Sequence, residues 1–570
     1  MENSKGWGFL RDAWRLAKPY WLSADKKWAW GLLAAVIVLN LTSVYINVRL
    51  NFWRNDFYNT LQELDEGAFF KQLGVFALLA GSFIIVVVYQ FYLQQMLQIR
   101  WRRWLTRQYL TDWLDGKAYY RLQLEGNETD NPDQRIADDM NRFTEGTLGL
   151  SLGLMNSVVT LFSFLSILWT LSGPLPISLG SYGSITVPGY LVWCALIYAV
   201  GGTLVTLKIG KPLVSLNFAQ QRYEADFRFS LVRLRENTEA VALYGGEARE
   251  LGIFKDRFGR VVDNFWAIMR RTKALNWWTY GYGQFAVIFP YLVAAPRFFS
   301  KEIQLGGLMQ TADAFGTVQG ALSFVVTSYT DIAVWQSVVQ RLVGFDERVR
   351  ELAAAARQPQ PIDVERAGDG IVVRDLALDL PDGTPLLRNV ALAVGPGESL
   401  LVTGPTGSGK STLLRAISGI WPYGKGAIRM ALGKLLFLPQ KPYLPLGSLR
   451  EALIYPRANA DFPEARLKEV METVGLGAFV SRFDEPDNWA QRLSLGEQQR
   501  LSFARVLLSE PNLVFLDEAT SALDEPSEAR LYRLLREAPW RPLIVSIGHR
   551  GTLTQFHDQK CDIGAFRARP

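Results

Sequence analysis

Six apolar stretches, at about 28–50, 72–95, 148–172, 185–206, 275–300 and 314–338, constrain this 570-residue chain more than any other feature. Each has roughly 20 residues or more, enough for a helix rising about 1.5 Å per residue to cross a hydrocarbon core of about 30 Å. In lipid a helix satisfies its own backbone, so helices are the expected form. A helix buried in a water-soluble core would show a polar face at helical period, and Val75–Val88 has almost none. Composition agrees, with aromatic residues at 12%, including 18 Trp and 32 Phe. Apart from Arg297 and Asp331 near their ends, the spans offer few ionisable groups, so nothing in them names a solute.

Charge orients the spans. Arg100, Arg102, Arg103 and Arg107 follow the second; Lys208, Lys211, Arg222 and Arg228 follow the fourth. The connection 171–186 carries no charge, and the one after the fifth span has only Lys301 and Glu302. Basic flanks stay cytoplasmic, which places both termini and the loops 96–147 and 207–274 on that side. Those loops keep helical periodicity, so the helices are expected to continue beyond the bilayer. A helix over 8–22 should lie in the interface, because Trp7, Phe9, Leu10, Trp14, Tyr20 and Trp21 mix with Arg11, Arg15 and Lys18. The net charge of +6 is explained by these flanks, so no nucleic-acid partner is expected. Cys194 and Cys561 form no CxxC pair, which argues against a metal site or a disulfide framework, and no cleavable signal peptide is visible.

Around Ala353–Gly370 the composition turns to Ala, Gln, Pro and Asp. A membrane domain over 1–345, a linker over 346–370 and a soluble α/β domain over 371–570 are therefore expected, the last alternating apolar strands with amphipathic helices. In it, the apolar run Ser399–Thr403 leads into Gly404, Pro405, Thr406, Gly407, Ser408, Gly409, Lys410, Ser411 and Thr412. A strand, a Gly-rich turn and a helix start make a P-loop: backbone N–H groups close on phosphate oxygens and the helix N-terminus adds positive potential. Lys410 is expected to bridge the β- and γ-phosphates of ATP, and the Ser411 hydroxyl to ligate Mg²⁺. Leu513–Leu516 ends in Asp517, placed for the Mg²⁺ shell, and Glu518, placed to polarise the attacking water.

The order of Gly404–Ser411, Gln440 in Leu-Pro-Gln-Lys-Pro, Leu493-Ser-Leu-Gly-Glu-Gln-Gln-Arg500, Asp517-Glu518, Ser521-Ala-Leu-Asp524 and His549 resembles an ABC nucleotide-binding domain. The resemblance implies an all-α six-helix transmembrane domain followed by an α/β ATP-binding cassette. It makes Gln440 the Q-loop residue near Mg²⁺. Ser494 and Gly496, with Glu497 beside them, become contacts to the γ-phosphate held by a second copy. Asp524 becomes the D-loop acid, and His549 the switch that with Lys410 and Glu518 carries catalysis. Leu495 and Glu497 stand where most members have Gly and Gln. Asp375–Asp382 holds no aromatic where most members stack adenine, so that platform stays unassigned.

Gly419-Ile-Trp-Pro, Asn131-Pro-Asp-Gln-Arg-Ile136, Glu239–Glu247 and Arg100-Trp-Arg-Arg-Trp-Leu-Thr106 are similar to motifs of peroxisomal ABCD-type fatty-acyl transporters and bacterial BacA/SbmA-like, YddA-type members. This implies a homodimer in the bacterial inner membrane that couples ATP hydrolysis to movement of a solute. Peptides or other hydrophilic compounds such as cobalamin are the expected cargo; an acyl-CoA-like or lipid cargo and a membrane ATPase without transport are the alternatives. Direction of transport stays open.

Overall fold

Helix lengths dominate the computed structural model, which describes residues 8–124, 132–178, 184–457 and 462–568. Trp7 and Asn131 of the motifs above lie outside them. Two compact units are formed: Met1–Trp113 with Glu128–Val349, and Leu114–Asn127 with Arg350–Pro570.

In the first unit the amphipathic helix α1 (Gly8–Trp21) buries Leu16, Tyr20 and Trp21. It is followed by α2 (Lys26–Glu63) and α3 (Glu66–Leu114). At 49 residues, α3 is about 70 Å long, far more than a bilayer needs. The short α4 (Ala118–Leu124) belongs to the second unit. A π-helical turn, Arg135–Asp139, then leads into α5 (Met140–Ser172). Strands β1 (Pro174–Ser178) and β2 (Ser184–Pro188) pair as an antiparallel hairpin. Next come α6 (Tyr190–Glu236), α7 (Thr238–Tyr244), α8 (Glu247–Phe299), α9 (Leu305–Leu322) and α10 (Tyr329–Arg357). The loops expected at 96–147 and 207–274 are thus largely continuations of α3, α5, α6 and α8. Among the described residues, α2, α3, α5 and α6 each carry a stretch long and apolar enough to cross a membrane.

Three details depart from the sequence reading. The span expected at 185–206 begins in β2, and its helix starts only at Tyr190. The span expected at 314–338 is not one helix: α9 ends at Leu322, a single turn spans Phe324–Thr327, and α10 begins at Tyr329. Serine and threonine compete for the helical carbonyls here, Ser323 Oγ donating to Gln319 O at 2.8 Å and Thr327 Oγ1 to Phe324 O at 3.1 Å. The linker placed at 346–370 is mostly ordered, because α10 runs through the Ala-rich stretch to Arg357 and a strand follows at Ile362–Arg366. Alanine is the best helix former, so its enrichment there prolongs a helix.

Among its described residues the second unit has two large sheets, besides a two-residue pairing of Gly447–Ser448 with Pro486–Asp487. β3 (Ile362–Arg366), β4 (Ile371–Asp379), β5 (Pro385–Val394) and β7 (Gly424–Met430) form a mixed sheet in the order β3-β7-β4-β5. The other sheet is wholly parallel and comprises β6 (Ser399–Thr403), β8 (Leu435–Leu438), β9 (Leu513–Asp517), β10 (Leu543–Ile547) and β11 (Gln559–Asp562), in the order β11-β6-β10-β9-β8. β9 and β10 are apolar and almost entirely buried, as expected of strands covered on both faces. One core lies between the sheets around Leu413, Leu400, Phe515 and Val545. A second sits under the helices near Trp489, Phe503 and Leu453.

Candidate functional site

Parallel register brings the predicted residues together. Val402 of β6 pairs with Ile547 of β10, Ile547 with Asp517 of β9, and Leu516 with Leu438 of β8. The carboxyl ends of four strands therefore lie side by side, where open α/β sheets place their ligand crevice. From β6 emerges Gly404–Gly409, from β8 Gln440, from β9 Glu518 and from β10 His549.

Gly407 and Gly409 sit at φ +75° and +95°, a region that side chains with a Cβ avoid, so the loop can wrap tightly before helix α11 (Lys410–Ile417) begins. Lys410 is buried, and its Nζ donates to the carbonyls of Gly404 and Pro405 at 2.9 Å each. Ser408 is fully buried, and among the described residues its hydroxyl has no hydrogen-bond partner. A buried donor beside a ring of N–H groups suits a phosphate oxygen. Thr412, one residue beyond Ser411, is half-buried in the first turn of α11, and Pro405 and Thr406 are exposed at the loop's crest.

Ser411 Oγ donates to Asp517 Oδ1 at 3.1 Å. Burial raises the Asp517 carboxyl above its ordinary range; the Ser411 hydrogen bond opposes this and the charge of Glu518 adds to it. A hydroxyl beside one carboxylate is a donor set that fits Mg²⁺. That ion takes one or two carboxylates and fills its octahedron with water and phosphate oxygens.

Glu518 has φ +47°, a strained conformation for a residue with a side chain, and its N–H is held by Ile547 O at 3.1 Å. Its carboxylate meets two predicted partners: Gln440 Nε2 donates to Oε2 at 2.9 Å, and His549 Nε2 lies 3.2 Å from Oε1.

The remaining predicted residues form a separate group at the start of α12 (Leu495–Ser509). Ser494 caps this helix, accepting from Glu497 N at 3.3 Å, while Glu497 Oε2 accepts from Ser494 N at 2.8 Å. Gly496 packs on the loop before α13 (Glu525–Arg536), where a Cβ would lie 3.1 Å from Ala522 O. Asp524 is in that loop, and a hydrogen bond from Ser527 holds its carboxyl below the usual range.

Two positioning residues were not assigned from the sequence. Gln499, fully buried, donates to Gln440 O at 3.1 Å and Ser521 Oγ at 3.2 Å and accepts from Ala522 N at 3.0 Å. Arg550, next to His549, donates to Leu523 O at 2.7 Å and Ser521 O at 3.1 Å. Gln499 lay inside a quoted motif, but nothing in the sequence says which loops it ties.

Residues 16–299 match the family described as ABC transporter transmembrane region 2, and residues 387–521 match the one described as ABC transporter. ABC transporter D family member 2, chloroplastic, of Arabidopsis thaliana is 37% identical over 96% of this chain and 86% of its own. The chain is an ABC half-transporter. Among other members, the inner membrane ABC transporter ATP-binding protein YddA of Escherichia coli is 35% identical over 96% of this chain and 97% of its own. The human lysosomal cobalamin transporter ABCD4 is 29% identical over 81% and 79%. A solved bacterial Atm1-family ABC exporter with ATP bound shares the fold, at TM-score 0.71 and 17% identity over 95% of this chain and 94% of that one. This half-transporter accordingly joins a helical membrane domain to a cassette that binds and hydrolyses ATP.

Proposed function

We propose that two copies of this chain form a transporter that moves short peptides or similarly hydrophilic solutes across the bacterial inner membrane, with termini and cassettes in the cytoplasm. The observation that carries this is the division of the ATP-handling residues into two groups. The P-loop, Asp517, Glu518, Gln440 and His549 form one; Ser494, Gly496, Glu497 and Asp524 form the other. A head-to-tail pair brings the second group of each copy onto the nucleotide held by the first group of its twin.

In that pair Lys410 exchanges the Gly404 and Pro405 carbonyls for β- and γ-phosphate oxygens. Ser494 and the N–H groups after it cap the γ-phosphate at the start of α12. Glu518 orients the water whose oxygen attacks the γ-phosphorus as its bond to the β-phosphate oxygen breaks. His549 and Lys410 stabilise the growing charge. Ser411 and Asp517 would hold Mg²⁺, which supplies charge neutralisation between the phosphates when bound. Loss of the γ-phosphate removes the link between cassettes and lets them part. Short helix α7, whose Leu243 and Tyr244 are 79% and 89% exposed, offers an apolar tip for a partner's cassette.

Basic flanks support the orientation. The cargo reading is supported by the resemblance to YddA-type members; the cobalamin transporter named above makes cobalamin the second solute to try. Purified protein in liposomes, supplied with short peptides, cobalamin or acyl-CoA, is the test. Peptide flux that depends on ATP is expected. ATP hydrolysis with no solute moved would instead favour a membrane ATPase without transport.

A further inference from the structure

Along the C-terminal third of α2 a polar stripe interrupts the apolar pattern: Asn51, Asn55, Asn59 and Gln62 recur at three- or four-residue spacing. The stripe faces α9. Gly306 N donates to Asn59 Oδ1 at 2.8 Å and Leu305 N to Gln62 Oε1 at 2.7 Å. A side chain at Gly306 would run into Asn55, so the two helices approach closely only because glycine is there. About 18 Å from the end of α2, Asn51 and Gln310 are 0% and 1% exposed. Gln310 Nε2 donates to Asn51 Oδ1 at 3.1 Å, and Asn51 Nδ2 donates to Asp313 Oδ2 at 2.7 Å. Arg54 forms an ion pair with the other oxygen, Asp313 Oδ1.

A clasp that only joined two helices would be sealed from its surroundings. This one opens on a cavity of about 540 Å³ lined by Arg54, Tyr58, Tyr291, Asp313, Thr317 and Gln319. That is the size of a small-molecule site, and charged residues inside membrane bundles line solute pathways. Both Asp313 oxygens are engaged, one by Arg54 and one by Asn51. The guanidinium has five donors in a planar fork, more than one carboxylate oxygen can absorb, and the Arg54 side chain stays 41% exposed. The buried amides therefore fix Asp313, Asp313 fixes Arg54, and the rest of the fork faces the cavity.

The geometry points to Arg54 as the group that receives a carboxylate of the transported solute, which for a peptide is its C-terminus. This assignment rests on the peptide reading above and names the part of the peptide that is recognised. Proteoliposomes containing the full-length dimer would be given a mixed tripeptide library, half with free C-termini and half C-amidated, and the moved peptides identified by mass spectrometry. Wild type is expected to favour the free carboxylates by about tenfold to a hundredfold, the range for losing one charge-assisted hydrogen bond. Arg54→Gln is expected to erase that preference, and Arg54→Lys, which keeps charge without the fork, to keep part of it. The preference is a ratio within each variant, so a general loss of stability does not move it, and unfolding temperature reports the fold separately. Equal movement of both halves by wild type, or an undiminished preference in Arg54→Gln, would overturn the assignment while leaving peptide transport intact. No tripeptide moved by wild type while ATP is hydrolysed would instead overturn the peptide reading, and this assignment with it.

Discussion

Glu518 is the residue on which most of the proposed chemistry converges. It stands at the end of a buried strand in a strained backbone conformation and meets Gln440 and His549 through separate carboxylate oxygens. Replacing it with Gln keeps the shape and removes the charge proposed to orient water. Nucleotide binding should persist in Glu518→Gln while turnover falls by about a hundredfold or more. Equilibrium binding and phosphate release, measured on one preparation, check this. The second histidine acts on stability. His557 Nδ1 lies 2.8 Å from Leu553 O and Nε2 2.8 Å from Ser546 Oγ, and burial lowers its pKa below the ordinary imidazole value. The unfolded chain then binds more protons than the folded one as pH drops below about 6.5. Cassette stability from this group is thus intact above that pH and lost as pH falls through the lowered folded value. Thermal unfolding between neutral and acidic pH should show the loss, and His557→Gln should flatten it. The resemblance already nominates His549 as the switch, but the role of His557 follows only from what the folded chain sets against its ring.

At the scale of elements, the π-helical turn Arg135–Asp139 is the informative one. Such turns add a residue to the helix and re-aim side chains. Here Asp139, 1% exposed, accepts from Arg135 Nη1 at 2.8 Å and from Arg341 Nε and Nη2 at 2.9 and 2.7 Å. The start of α5 is thereby locked to α10, the helix that runs on to the cassette. Asp139→Asn would remove the buried charge that Arg135 and Arg341 share, at a cost of about 3–5 kcal/mol. Its unfolding temperature should fall markedly, and any folded fraction should hydrolyse ATP with weakened coupling to flux. An unchanged unfolding temperature would contradict the lock. The motif Arg100–Thr106 has a structural role of the same kind. Trp101 is fully buried and stacks on Tyr20 of α1 at 5.7 Å, fastening that amphipathic helix to α3.

For the whole molecule, the decisive expectation is that each ATP site is shared. A Lys410→Ala chain lacks a working P-loop, and a Ser494→Ala chain lacks its signature hydroxyl. Homodimers of either should be nearly inactive. Mixed dimers should regain one intact site, because the P-loop of the Ser494→Ala copy meets the signature of the Lys410→Ala copy. Random pairing gives mixed dimers as about half of the total in a symmetric two-chain assembly. ATPase activity that reappears on co-assembly checks this, whereas additive residual activity alone would mean that each chain completes its own site.

Periodicity and local motifs were enough to read a helical membrane domain followed by an α/β cassette, and to nominate the residues of a P-loop. A span needs only a run of apolar residues, and a phosphate loop only its own glycines, lysine and serine, so both are written in short contiguous stretches. Long-range neighbours are not. The strand order that aligns β6, β10, β9 and β8 puts Glu518, Gln440 and His549 in contact, and buried hydrogen bonds across three loops give Gln499 its role. Arg54 and Asp313 sit just outside the expected spans 28–50 and 314–338 and far apart in the chain, so no local pattern links them. Packing of α2 on α9 turns them into a pair, because only the fold brings a guanidinium of one helix against a carboxylate of the other.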